Sequence, residues 1–287
     1  MNTQTGKLFI LLFFSILFVT SCHTKSKQTV ENNIQFESLQ VDKTYHLLEQ
    51  SNNPNCNLQL TFTFPKDFQD KEILKKLQKA FVSSYFGEKY EDLSPEEASN
   101  QYAKDYIEAY KELEQDFKEE QKKQGDSPID SWYSYYEMAS NEITFNQNNL
   151  ISYTIYFENY TGGAHGSHSC TNHVINLQTG NPITEEDIFV ENFQDDLAQI
   201  LVNTIVKQRE VEQAKDLENI GYFSIDEIFP NGNFFIDEKG ITYTFNEYEI
   251  AAYVVGITQV FLPFNEISFL LKQDSPIATL FTNKHQE

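Results

Sequence analysis

Leu58, Leu60, Phe62 and Phe64 alternate with Gln59, Thr61 and Thr63, the two-residue period of a strand with one buried face. Pro65 is expected to close it, and residues 38–48 form a strand before it. From Lys71 the period changes. Leu74, Leu77, Phe81 and Tyr85 recur every three or four residues, one stripe of an amphipathic helix that Gly87 stops. Ser94-Pro95-Glu96-Glu97 then supplies an N-cap, a proline at the first helical position and the glutamate of a capping box. The helix it starts carries Ala98, Tyr102, Tyr106, Tyr110, Leu113 and Phe117 on one side and is expected to reach about Lys123, where Gln124, Gly125, Asp126, Ser127 and Pro128 break it.

Residues 132–145 and 150–157 read as a hairpin turning at 146–149, with Trp132, Tyr133, Tyr135 and Tyr136 as an aromatic cluster on one sheet face. Ile151, Tyr153, Ile155 and Phe157 alternate with polar neighbours until Gly162 and Gly163 interrupt them. Paired glycines permit positive φ and close backbone approach. Tyr160, Gly162, Gly163, His165 and Gly166 are therefore read as a structural motif, a tight crossing between two halves of the molecule. Strand character returns over 167–177. After a turn at 178–182, Thr184 caps a helical turn through Asp187, and a longer helix is expected from Phe193 to about Leu217 with Leu197, Ile200, Leu201 and Ile205 on one face. Phe234 to Ile236 and Ile241 to Phe245 form a second hairpin around 237–240; residues 248–256 cross over, 260–262 add a strand, and 263–271 form a closing helix. Irregular alternation of helices with hairpins predicts an α+β fold of two coupled subdomains, with mixed or antiparallel sheets packed against helices, and not a doubly wound parallel sheet.

The first 21 residues change the picture of where this fold works. One cation, Lys7, precedes an apolar run over 8–19 that is short for a membrane span, the form of a secretory signal. Val19-Thr20-Ser21-Cys22 resembles the bacterial lipobox, in which the cysteine is diacylated and becomes the mature N-terminus; an ordinary signal peptide cut near Ser21 is the alternative. Two acyl chains anchor a protein to a membrane without a spanning helix. The expected division is a lipoprotein signal over 1–21, a polar tether over 22–37, subdomains over 38–161 and 162–272, and a tail over 273–287. No acidic cluster follows Cys22, and a periplasm-facing position in a bacterial cell envelope is expected.

The chain holds 43 acidic against 21 basic residues, a net charge of −22. Such a field repels nucleic acid, which is excluded as a partner, and attracts cationic proteins. Candidate chemistry is sparse. His165, His168 and His173, with Cys170 among them, carry imidazoles and a thiolate of the kind that bind zinc, but extended chain between His168 and His173 spreads them about 16 Å apart. No metal and no cofactor are expected. Cys56 and Cys170 remain once Cys22 is lipidated, and an oxidising compartment favours a disulfide between them; a free Cys170 nucleophile with His165 as its base is the alternative. Glu185, Glu186, Asp187 and Glu249 are candidate catalytic carboxylates, though acids at a helix start are explained by capping and the helix dipole. No nucleophile-elbow, zincin, Walker or dinucleotide motif is present, and no catalytic residue is assigned.

Tyr160-Thr161-Gly162-Gly163-Ala164-His165-Gly166, Asn176-Leu177-Gln178-Thr179-Gly180, Asp187-Ile188-Phe189, Gly240-Ile241-Thr242-Tyr243-Thr244-Phe245 and Tyr248-Glu249-Ile250-Ala251, with Tyr253, Gly256 and Pro263, resemble the DUF3298 family. The part before Gly162 is similar to the DUF4163 domain that usually precedes it, also found beside a peptidoglycan deacetylase catalytic domain, that of PdaC. The family includes the extracytoplasmic part of the anti-sigma factor RsiV, a receptor for lysozyme. The resemblance implies a ligand-sensing surface for lysozyme, another cationic protein or a peptidoglycan fragment. The chain shows neither an anti-sigma segment nor a polysaccharide deacetylase segment, so fold and binding carry over and catalysis does not. An envelope hydrolase or metal-dependent enzyme using the His165 to His173 region is the alternative.

Overall fold

The computed structural model describes residues 31–124 and 131–282. The signal segment, Cys22, most of the tether, the breaker at Gly125 to Pro128 and the last five residues lie outside them.

The alternation at Leu58 to Phe64 buries all four apolar side chains on one face of β2 (Asn55–Asp67). β2 continues two residues past Pro65, which lies at an irregularity in the pairing with β1 (Gln35–His46). On its other side β2 pairs in parallel with β3 (Tyr135–Gln147). A parallel partner requires a long crossover, and α1 (Lys71–Phe86), α2 (Pro95–Lys111) and α3 (Glu114–Gln124) supply it. Asp70 caps α1 by accepting from the amides of Glu72 and Ile73, and Gly87 at φ 102° ends it. Leu77 and Phe81 face the sheet, where the Phe81 ring stacks on Tyr153 at 3.9 Å. The capping box of Ser94 and Glu97 starts α2 as expected.

The single helix expected to reach Lys123 is broken at Glu112 and Leu113. The break lets both Tyr110 and Phe117 pack into a small core with Leu47 and Cys56. It also turns the Glu114 carboxylate back to accept from the Tyr45 hydroxyl at 2.7 Å and the Leu48 amide at 3.2 Å.

β3 and β4 (Leu150–Tyr160) form the expected hairpin, with Asn148 and Asn149 both at positive φ, the left-handed pair that a tight hairpin turn demands. β5 (Ser167–Asn176) pairs antiparallel with β4 from Leu150↔Asn176 to Asn159↔Ser167. The glycine-rich stretch is thus a hairpin loop within one sheet, and its reading as the crossing between halves is corrected. Gly162 (φ 87°) and Gly163 (φ 111°) make the reversal, and a Cβ on Gly162 would meet the Trp132 carbonyl at 3.0 Å. β6 (Asn181–Pro182) completes a six-stranded sheet in sequential order, so a boundary at 162 cuts this sheet, and the chain leaves it only after Pro182.

The remainder holds α4 (Glu185–Ile188), α5 (Gln194–Gln208) and an antiparallel sheet of β7 (Phe234–Ile236), β8 (Gly240–Phe245) and β9 (Thr258–Pro263). α5 ends nine residues before Leu217, and a 3-10 turn over Ala214–Ile220 follows. The closing helix is short, α6 (Phe264–Ile267), followed by a 3-10 turn; α7 (Ala278–Phe281) ends the described chain. Leu197, Leu201 and Ile205 pack on Ile241, Tyr243 and Leu262, and Phe145, Leu150 and Val174 of the first sheet enter the same core. The fold is α+β, and its two halves share apolar packing. Among the described residues no helix is long and apolar enough to cross a membrane.

Candidate functional site

Strand alternation gives the six-stranded sheet two faces. One lies under α1 and α2. The second sheet covers part of the other through a polar seam: Asn172 bonds Asn233 at 2.8 and 3.0 Å, Thr244 at 2.9 Å and Thr154 at 2.8 Å. What stays uncovered floors an open groove of about 690 Å³. Gln40 and Asp42 come from β1, Gln59 and Thr61 from β2, Met138 and Ser140 from β3, Tyr156 and Glu158 from β4 and His168 from β5, with Ile257 as the wall. Among the described residues no lysine or arginine lines it.

The rim at the β4–β5 hairpin is rich in aromatic rings and carboxylates. His165 stacks on Tyr253 at 4.1 Å, and its Nε2 lies 3.4 Å from the Tyr248 hydroxyl. Tyr136 donates to Glu158 at 2.8 Å, which raises its own pKa because the bond favours the neutral phenol. Tyr156 donates to Glu142 at 2.8 Å. Partial desolvation, with that bond, holds the phenol well above its usual range. Both hydroxyls are fixed donors to carboxylates. The Glu247 carboxylate accepts from the His168 amide at 3.3 Å, and Asn246 accepts from the Cys170 amide at 2.7 Å, so the segment after β8 is fastened to β5.

The structure sets His173 apart from the other two histidines. His165 and His168 both approach Tyr253, whereas His173 stacks on Tyr153 at 4.9 Å on the helix-covered face. Burial pushes the His173 imidazole down to about 4, so it is neutral at ordinary pH. Among the described residues no group of three or more His, Cys, Asp or Glu side chains could hold a metal ion.

The expected disulfide is not formed: Cys56 and Cys170 are separate buried thiols. They lie on β2 and β5, three strand spacings apart in the sheet, about 14 Å before any offset along the strands, far beyond the reach of a disulfide. Burial raises each thiol to about 11, and Thr244 is the side chain bonded to Cys170. A nucleophilic cysteine needs the opposite environment.

The candidate carboxylates hold structure. Asp187 accepts from the Thr184 amide and hydroxyl, Glu185 from the Gly232 amide, and Glu249 from Asn231; burial raises the Glu185 pKa. Sequence reasoning singled out neither Glu158 nor Glu247. Glu158 continues the polar alternation of its strand and Glu247 is one acid among 43; only the fold makes them neighbours.

Fold and groove together define a class: an α+β domain in which a small antiparallel sheet half-covers one face of a larger mixed sheet. Residues 186–265 match the family model described as DUF3298, a protein of unknown function, and residues 49–168 match the model described as deacetylase PdaC. The stretch similar to DUF3298 thus lies behind the one similar to PdaC. A DUF3298 family member from Bacteroides fragilis is 29% identical, with a TM-score of 0.83 over 89% of this chain and 100% of its own. A DUF3298 family protein from Pseudomonas aeruginosa shares the fold at 10% identity, with a TM-score of 0.56 over 83% of this chain and 95% of its own. No curated protein matches the sequence.

Proposed function

We propose that this chain is a non-catalytic binding domain, held at the bacterial envelope by lipid on Cys22, whose groove receives the surface of a cationic protein, lysozyme being the example the family resemblance suggests. The observation that carries this reading is the lining: Asp42 and Glu158 with tyrosine and amide side chains, and no lysine or arginine among the described residues. In a chain of net charge −22, the field steers a basic ligand toward that opening. The distance of His173 from the other two histidines and the burial of both thiols support binding over the hydrolase alternative. Calorimetry of the purified protein with lysozyme, and with muropeptides as the competing ligand, tests it. Lysozyme binding that weakens with salt and on Glu158→Gln is expected; salt-independent binding, or capture of muropeptides alone, overturns it. Fatty-acid labelling that disappears in Cys22→Ala tests the anchor.

A further inference from the structure

His168 occupies an unusual position on the groove's rim. Its Nε2 lies 3.6 Å from Glu158 on β4, and its Nδ1 lies 3.3 Å from Glu247, in the segment that follows β8 of the other sheet. The Glu247 side chain is only 12% exposed, against 40% for His168 and 35% for Glu158. Tyr253 faces the ring at 6.4 Å; Tyr136 reaches it through Glu158 and His165 through Tyr253. The titratable groups around the imidazole are thus two carboxylates, two phenols and a second imidazole.

A neutral imidazole has one N–H and one lone pair, so it serves one carboxylate and turns a lone pair toward the other. An imidazolium donates to both. Proton gain therefore draws a carboxylate of the first sheet and one of the segment after β8 onto one cation, and imidazole is the side chain that makes this change between about pH 5 and 8.

We propose that His168 is a proton-operated latch at the rim of the groove: protonated, it ties β4 to the Glu247 segment and cancels one of the two carboxylate charges, and deprotonated, it leaves both charges to a cationic ligand. The ligand half of this statement rests on the binding reading above; the latch itself does not.

The two are separated by experiment. Without ligand, hydrogen exchange of residues 246–256, corrected for intrinsic rates, is compared at about pH 8 and 5.5 in the wild type, His168→Gln and Glu247→Gln. Protection that rises at low pH in the wild type and stays flat in both variants is expected. Equal behaviour in all three overturns the latch. With lysozyme added, wild-type affinity is expected to fall about three- to fivefold over the same range, the scale of one exposed charge pair, and the fall is lost in His168→Gln. A fall that persists in His168→Gln overturns the latch and leaves the binding reading standing. No lysozyme binding at either pH, with the exchange result intact, overturns the binding reading and leaves the latch standing.

Discussion

Ser152 and Ile236 exchange two hydrogen bonds through one buried hydroxyl: Ser152 Oγ donates to the Ile236 carbonyl at 2.7 Å and accepts from its amide at 3.2 Å. β4 and β7 are thereby joined where the second sheet lies on the first. Ser152→Ala strands a buried N–H and a buried C=O, at a cost of about 1–3 kcal/mol. Thermal denaturation should show a melting point lower by several degrees, while Thr171→Ala, at an exposed position, stays within about 0.5 kcal/mol of the wild type.

His173 links stability to acid. Its folded pKa of about 4 lies below the ordinary 6.5, so the unfolded chain takes up the proton first. Stability is whole above about 6.5 and is lost as pH falls from there toward 4, on the order of 2–3 kcal/mol. His173→Phe keeps a ring against Tyr153 and removes the proton site. Denaturant titrations at pH 7 and 4.5 are expected to show a smaller acid loss in the variant.

Cys56 and Cys170 should behave as inert thiols. Both are 1% exposed, and burial raises each to about 11. A thiol reagent at neutral pH is expected to label them only on unfolding, and a reductant should leave the melting point unchanged. Rapid modification of native protein, or a reductant-sensitive transition, would contradict the burial.

Local signals in the sequence carried well into the structure. Gly87, the Ser94 to Glu97 capping box and the Asn148-Asn149 turn sit where short-range chemistry places them, because caps and turns depend on neighbours a few residues away. Partnership between strands did not carry. The alternation of 167–177 announces a strand but not its neighbour, so neither the pairing of β5 with β4 nor the distance across the sheet between the two cysteines is readable from it. α2 and α3 share one apolar stripe, and the break between them goes with Glu114 contacts to Tyr45 and Leu48, which are distant in sequence. The groove was the least legible element. Its lining is gathered from five strands and a later wall, and its polar residues look in sequence like ordinary outward positions of an alternating strand.

The seating of β5 governs how the gene could be divided. The segment similar to PdaC ends at residue 168, just inside that strand, and the DUF3298 match begins only at 186. β5 pairs with β4 in the larger sheet, and its Val174 and Asn172 also anchor the smaller one. A recombination joint at 168 would hand the keystone to one parent and the arch to the other, so viable hybrids should inherit residues 150–245 from a single source.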